Sequence, residues 1–243
     1  DDAGAAYALA TLRNMVRIHG ETLPCCRLDD APDLPRRAVY LDCSRGKVPT
    51  RKTLTRLFAQ LADWKINEVQ LYIENVFQFH RHPDIGRGFS PFSAGDNLAL
   101  QDQARGHHIR LVPSLASFGH MERILGLPGY RHLGEAPGHY GIAGGTTLCP
   151  GDPGAIRLVA DLYDEFLPLF EAVDFNACCD ETWALGTGRS RRRARRPGAE
   201  TLYLDFVLKL YRLSGKHGKR MTIWADILLN HPELIDRLPR DIV

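Results

Sequence analysis

The run Phe175-Asn176-Ala177-Cys178-Cys179-Asp180-Glu181-Thr182-Trp183 ends an apolar stretch with two adjacent carboxylates. Neighbouring side chains of a regular strand point to opposite faces. For both acids to serve one site, the strand must therefore end or bend near Asp180. Two carboxylates in one partly dry cavity repel each other, which raises the proton affinity of one and leaves the other ionised. That split suits general acid/base catalysis. An Asp-Glu pair alone also marks solvated turns and helix starts; its position after a buried type of strand is what points to chemistry.

Other clusters carry less. Six cysteines fall at positions 25, 26, 43, 149, 178 and 179 with no C-x-x-C spacing, and they read as small, reduced, mostly buried residues. His80-Arg81-His82 and His107-His108 lack an acidic third ligand at a recognisable spacing. No metal and no cofactor are expected. Arg189 to Arg196 holds six arginines without interleaved aromatics, the pattern of a solvated, mobile loop rather than a base-stacking surface. With 31 basic and 29 acidic residues, the chain generates little field for a nucleic acid backbone. No apolar run of about 18 residues and no basic-then-apolar leader is visible, so neither a membrane span nor secretion is expected, and the expected location is cytoplasmic.

Something must hold the acid pair in place. Short apolar runs, Ala38 to Leu41, Val69 to Ile73, Ile109 to Val112, Phe175 to Cys179 and Met221 to Trp224, alternate with segments of helical period. Leu54, Leu57, Phe58, Leu61 and Trp64 make one apolar face. Ile156, Val159, Leu162, Tyr163, Phe166 and Phe170 make a second, opened by Asp152-Pro153 as cap and first turn. Tyr203, Phe206, Val207, Leu210 and Tyr211 make a third. Such alternation means a parallel sheet with crossover helices.

Asp42-Cys43-Ser44-Arg45 follows the first strand where a dinucleotide fold would carry G-x-G-x-x-G. Polar residues instead gather at the ends of several strands: Asp42, Glu74-Asn75, His120, Asp180-Glu181 and Asp226. That is how a (β/α)8 TIM barrel builds its active face. Five strands are found, and Asp241-Ile242-Val243 reads as the start of a sixth, so the barrel is expected to be truncated within this chain. Residues 1–30, with a helix carrying Leu9, Leu12, Val16 and Ile18 and then a linker that runs into the Pro/Asp-rich break Asp29 to Pro35, are expected to be the tail of a small preceding domain. Residues 31–243 are expected to be the N-terminal part of the catalytic barrel.

Cys179-Asp180-Glu181-Thr182-Trp183-Ala184-Leu185-Gly186 resembles the Asp-Glu motif of glycoside hydrolase family 20, especially its hexosaminidase D-like branch. Four other segments fall in that family's order. They are Arg37-Ala38-Val39-Tyr40-Leu41-Asp42, Leu71-Tyr72-Ile73-Glu74-Asn75, Ser117-Phe118-Gly119-His120-Met121-Glu122 and Ile223-Trp224-Ala225-Asp226. The resemblance implies removal of terminal β-linked N-acetylhexosamine from a glycan or glycoside, with retention of configuration. The substrate's own 2-acetamido oxygen would be the nucleophile and an oxazoline the intermediate, an exception to the scheme with a protein nucleophile. It makes Glu181 the acid and then the base, and Asp180 the acceptor for the acetamido N–H.

The same resemblance assigns Arg37 to the outer hydroxyls, places His120 beside the acids and makes Trp224 a wall of the acetamido pocket. Glu74 and Asp226 complete the expected binding set. Glu74-Asn75 and Pro113-Ser114-Leu115-Ala116-Ser117 depart from the acidic residues common at these places, which leaves the gluco or galacto preference open. Two other functions fit the residues. One is a silent carbohydrate-binding barrel; the other is a barrel glycosidase with its own nucleophile, such as Glu74.

Overall fold

The computed structural model describes residues 1–243. In chain order the elements are α1 (Asp2–His19), β1 (Ala38–Asp42), α2 (Arg51–Asp63), β2 (Glu68–Ile73), α3 (Ala94–Gly106) and β3 (Arg110–Leu115). There follow α4 (Glu122–Leu125), α5 (Pro153–Phe166), β4 (Asp174–Asn176), α6 (Arg191–Ala194), α7 (Ala199–Lys216), β5 (Arg220–Thr222) and α8 (Asp226–Asn230). The strands form one parallel sheet in the order β1-β2-β3-β4-β5, so each crossover moves one place along it. Val243 donates to Met221 O and its carbonyl accepts from Ile223 N, which sets it beside β5 where the sequence placed a sixth strand. This arrangement is the expected part of a (β/α)8 barrel.

The two faces of the sheet differ in kind. Val69, Leu71 and Ile73 of β2 point toward the helices and join a core of 48 buried residues with Leu54 and Phe58 of α2, Phe166 of α5 and Phe206 and Leu210 of α7. The alternate residues Glu68, Gln70, Tyr72 and Glu74 form a polar inner face. Gln70 donates to Glu68, Tyr72 donates to Glu74, and Asn176 of β4 donates to Gln70. Period-2 alternation thus separates the packed layer from the layer that can do chemistry.

Helix starts follow the sequence signals. Asp152 accepts from Gly154 N with Pro153 in the first turn of α5, and Ser93 and Asp96 make a capping box at α3. Two apolar stripes behave otherwise. Trp64 is exposed because α2 ends at Asp63 and Trp64 is its C-cap. Leu9, Leu12, Val16 and Ile18 of α1 are all exposed, and only Ala10 of that helix is buried. The helix is fastened through Arg13 and Arg17, which both pair with Asp63.

The arginine-rich segment is fixed, not a free loop, at its start: Arg189 pairs with Asp152, and the buried Glu135 accepts from Ser190 N, Ser190 Oγ and Gly188 N. Cys43, Cys149, Cys178 and Cys179 are buried, whereas Cys25 and Cys26 are exposed. No helix is long and apolar enough to cross a membrane.

Candidate active site

The fourth strand stops earlier than its apolar run suggests. Asn176 Oδ1 accepts from Cys178 N at 2.9 Å, so the side chain takes a backbone donor that would otherwise continue the ladder. Cys178, Cys179 and Glu181 then adopt φ of 61°, 68° and 51°. Non-glycine residues reach this left-handed region at a cost of about 1–3 kcal/mol each, and such outliers gather at functional sites. The bend that two adjacent acids require is therefore built from three such residues. Gly119 supports it from the β3 loop, because a Cβ there would collide with the carbonyl oxygen of Asp180.

His120, at φ 54°, brings its ring between the acids: Nε2 lies 3.2 Å from Asp180 Oδ2 and 3.4 Å from Glu181 Oε2. The bond to Asp180 raises the His120 pKa, against the opposing effect of burial. Asp226 holds the turn from the β5 side, where its Oδ2 accepts from Glu181 N at 2.9 Å. Asp180 Oδ1 and Asp226 Oδ1 are buried without hydrogen-bond partners, as is the hydroxyl of Tyr203. Cys178 and Cys179 are poor nucleophiles here, since burial pushes the Cys178 thiol up to about 12 and raises that of Cys179 as well.

Glu74 follows β2 directly and is only 2% exposed, and its Oε1 accepts from Arg45 Nε and Tyr72 Oη, both at 3.0 Å. Burial and the nearby Glu122 carboxylate raise its pKa despite Arg45. Trp224 is 41% exposed and meets the Tyr40 ring edge-on at 5.2 Å, so it is an open wall and not core. Asp180, Glu181, His120 and Asp226 are thus in direct contact, with Glu74 and Trp224 held on the same ends of neighbouring strands.

Arg37 is not among them. It precedes β1, and its guanidinium donates to the carbonyls of Lys65 and Leu34 and lies over the Tyr7 ring. The five residues of β1 separate it from the active end. Arg45, which sequence reasoning passed over, emerges from the correct end of the same strand and reaches Glu74. A usable signal was present: site residues follow barrel strands, and Arg45 follows β1 while Arg37 comes before it. Tyr40, Tyr72 and Glu122 were also missed. Of the histidines set aside as metal ligands, His82 bonds Tyr130 and Asp161, and His107 caps the end of α3.

A partial β/α barrel whose acids gather at the C-terminal strand ends defines the class, a TIM-barrel fold with its candidate site on the face where such barrels carry their active sites. No protein-family model matches the chain. Hexosaminidase D of Homo sapiens is 26% identical over 205 residues, covering 81% of this chain and 40% of that protein. Hexosaminidase D of Bos taurus is 25% identical over 158 residues, covering 65% and 44%. The chain thus spans less than half the length of these curated relatives.

Among solved structures, Flavobacterium johnsoniae chitobiase (FjGH20) superposes with a TM-score of 0.80 at 20% identity, over 98% of this chain and 38% of that one. The Bacteroides fragilis β-N-acetylhexosaminidase gives 0.80 at 20%, over 100% and 51%. The fold is that of glycoside hydrolase family 20, and the chain is β-N-acetylhexosaminidase-like.

Proposed function

We propose that this chain carries the acid pair of an exo-acting β-N-acetylhexosaminidase that removes terminal GlcNAc or GalNAc by substrate-assisted catalysis. The observation that carries the reading is the bend at Cys178–Glu181, which sets both acids within reach of one imidazole. Glu181, the more exposed of the two at its side chain, 55% against 23%, protonates the departing glycosidic oxygen. The acetamido carbonyl oxygen attacks the anomeric carbon as that bond breaks, and an oxazolinium ion forms. Asp180 accepts the acetamido N–H and balances the developing positive charge. Glu181 then removes a proton from water, which opens the ring and restores the β configuration.

His120 and Asp226 hold this geometry, one through the carboxylates and one through the backbone of Glu181. Arg45, braced by Glu74, takes the hydroxyl-binding role that the sequence assigned to Arg37; its fork of donors suits vicinal hydroxyls. Tyr40 and Trp224 supply an aromatic wall. Domain limits at residues 30 and 31 and a cytoplasmic location, where the exposed thiols of Cys25 and Cys26 stay reduced, complete the proposal.

The test is a series of aryl N-acetyl-β-hexosaminides with successively fluorinated acetamido groups. Fluorination makes the carbonyl oxygen a poorer nucleophile, so kcat should fall steeply along the series. Equal rates across it, or with 2-hydroxy analogues, would assign the reaction to a protein nucleophile such as Glu74. No turnover of any member by the chain together with the rest of its barrel would leave the silent carbohydrate-binding barrel.

A further inference from the structure

Glu74, His120 and Glu122 come from two separate strand ends, and each offers one ligand atom. These atoms lie within 4.8 Å of one another. We propose that the three side chains form a binding site for a divalent transition-metal ion of the zinc or cobalt class.

The ligand chemistry fits. One imidazole with two carboxylates suits first-row transition metals, whereas magnesium and calcium favour all-oxygen sites. In a tetrahedral site with bonds of about 2.1 Å, ligand atoms sit roughly 3.4 Å apart. Closing the present cluster onto an ion therefore takes side-chain movements on the order of 1 Å.

The ligand atoms are also free. Glu74 is almost wholly buried, yet both hydrogen bonds to its carboxylate fall on Oε1, so Oε2 is left to ligate while Arg45 keeps its contact. Glu122 Oε2 is sealed from solvent and has no hydrogen-bond partner. With Nε2 of His120 turned to Asp180, Nδ1 is the nitrogen available to an ion, and a carboxylate on the far nitrogen is the usual support for a metal-bound histidine.

Charge points the same way. Asp42, Glu74, Glu122, Asp180, Glu181 and Asp226 gather at this end of the sheet, and the cations that pair with them are Arg45 and His120. A neutral sugar does not correct that imbalance, and a dication does.

The ion would share His120 and Glu74 with the proposed glycosidase site, but its binding is read without any sugar, so the two readings fail separately. Metal-free chain, titrated with Co²⁺ at neutral pH, should show a saturable visible d–d spectrum of one equivalent that Zn²⁺ abolishes. Glu122→Gln and His120→Asn should each weaken Co²⁺ binding at least roughly tenfold. Asn tolerates the left-handed backbone of residue 120, and circular dichroism of both variants verifies the fold. The proposal is overturned by the absence of a saturable spectrum in the parent chain, or by affinity unchanged in both variants. It is equally overturned by a sulfur-to-cobalt charge-transfer band, which would place the ion on the exposed Cys25-Cys26 thiols.

Discussion

The two ends of the sheet's inner face use the same residue types to opposite effect. At the N-terminal end, Glu68 and Asp174 are buried and saturated. Glu68 Oε1 accepts from Arg36 and Gln70, its Oε2 from Arg110, and Asp174 Oδ1 accepts from Arg220. At the C-terminal end, Asp180, Glu122 and Asp226 each keep a buried oxygen without a partner, and four residues there, His120, Cys178, Cys179 and Glu181, hold positive φ. Matched charge locks a structure, whereas unmatched charge and strained backbone are free to meet a substrate. One end of the sheet is built for stability, and the other, where the proposed chemistry falls, gives stability up.

The contrast can be broken most severely at Glu181. Glu181→Gln removes the proposed proton donor without changing shape, and ordinary substrates should lose about 10²- to 10⁴-fold in kcat, roughly 3–5 kcal/mol of barrier. Substrates with acidic phenol leaving groups should lose less in the first step. The melting temperature should hardly move, because the Glu181 side chain lies in the open half of the site. Single-turnover rates reduced equally for good and poor leaving groups would remove Glu181 from the acid role.

Glu68→Gln should give the mirror image. It leaves Arg36, Arg110 and Arg220 facing Asp174 alone. Breaking a buried pair destabilises by about 3–5 kcal/mol, and the partly exposed arginines reduce this to roughly 2–3 kcal/mol. For a chain of this size that is about 5–10 °C in Tm. A melt within about 1–2 °C of the parent, roughly half a kcal/mol, would deny that this end is the stabilising one.

This division was only half legible in the sequence. The bend at the acid pair followed from two adjacent carboxylates needing one cavity, and the strand order followed from alternating periods. The saturated end was invisible, because Glu68 meets Arg36, Arg110 and Gln70 only once β1, β2 and β3 are in register. Choosing Arg37 over Arg45 was a failure of direction along β1 and not of residue type. The α1 stripe misled for another reason: periodicity shows that a helix has an apolar face, not what covers it.

His120 sharpens the comparison through pH. Its raised pKa means that Asp180 stabilises the imidazolium. The contribution is therefore fully present below the ordinary histidine value of 6.5 and is lost as pH rises through the higher folded-state value. Melting of the parent chain against His120→Asn should show the largest stability difference near the acidic end of a scan from about pH 5.5 to 8.5, shrinking toward the basic end. A difference that is flat or grows with pH would mean that the ring acts at this end of the sheet by packing alone.

The smallest effect has the opposite sign from Glu68→Gln. In chelator-treated buffer Glu122 faces Glu74 with no cation between them, and that repulsion helps to raise the Glu74 pKa. Glu122→Gln removes one of the two charges and supplies an amide N–H₂ that can turn toward the Glu74 carboxylate, since the two side chains offer oxygens within 4.8 Å of one another. It should stabilise the chain by about 0.5–1 kcal/mol at neutral pH, as replacing an unmatched charge near a functional site commonly does. Glu74 should then ionise at lower pH than in the parent, measurable by carboxyl NMR titration. The gain should fade as pH falls and Glu74 becomes protonated in the parent as well, because the repulsion that the substitution relieves is then already gone. If the variant instead melts lower than the parent at neutral pH, Glu122 is matched in solution by a partner of its own, and the two ends of the sheet are built on one principle after all.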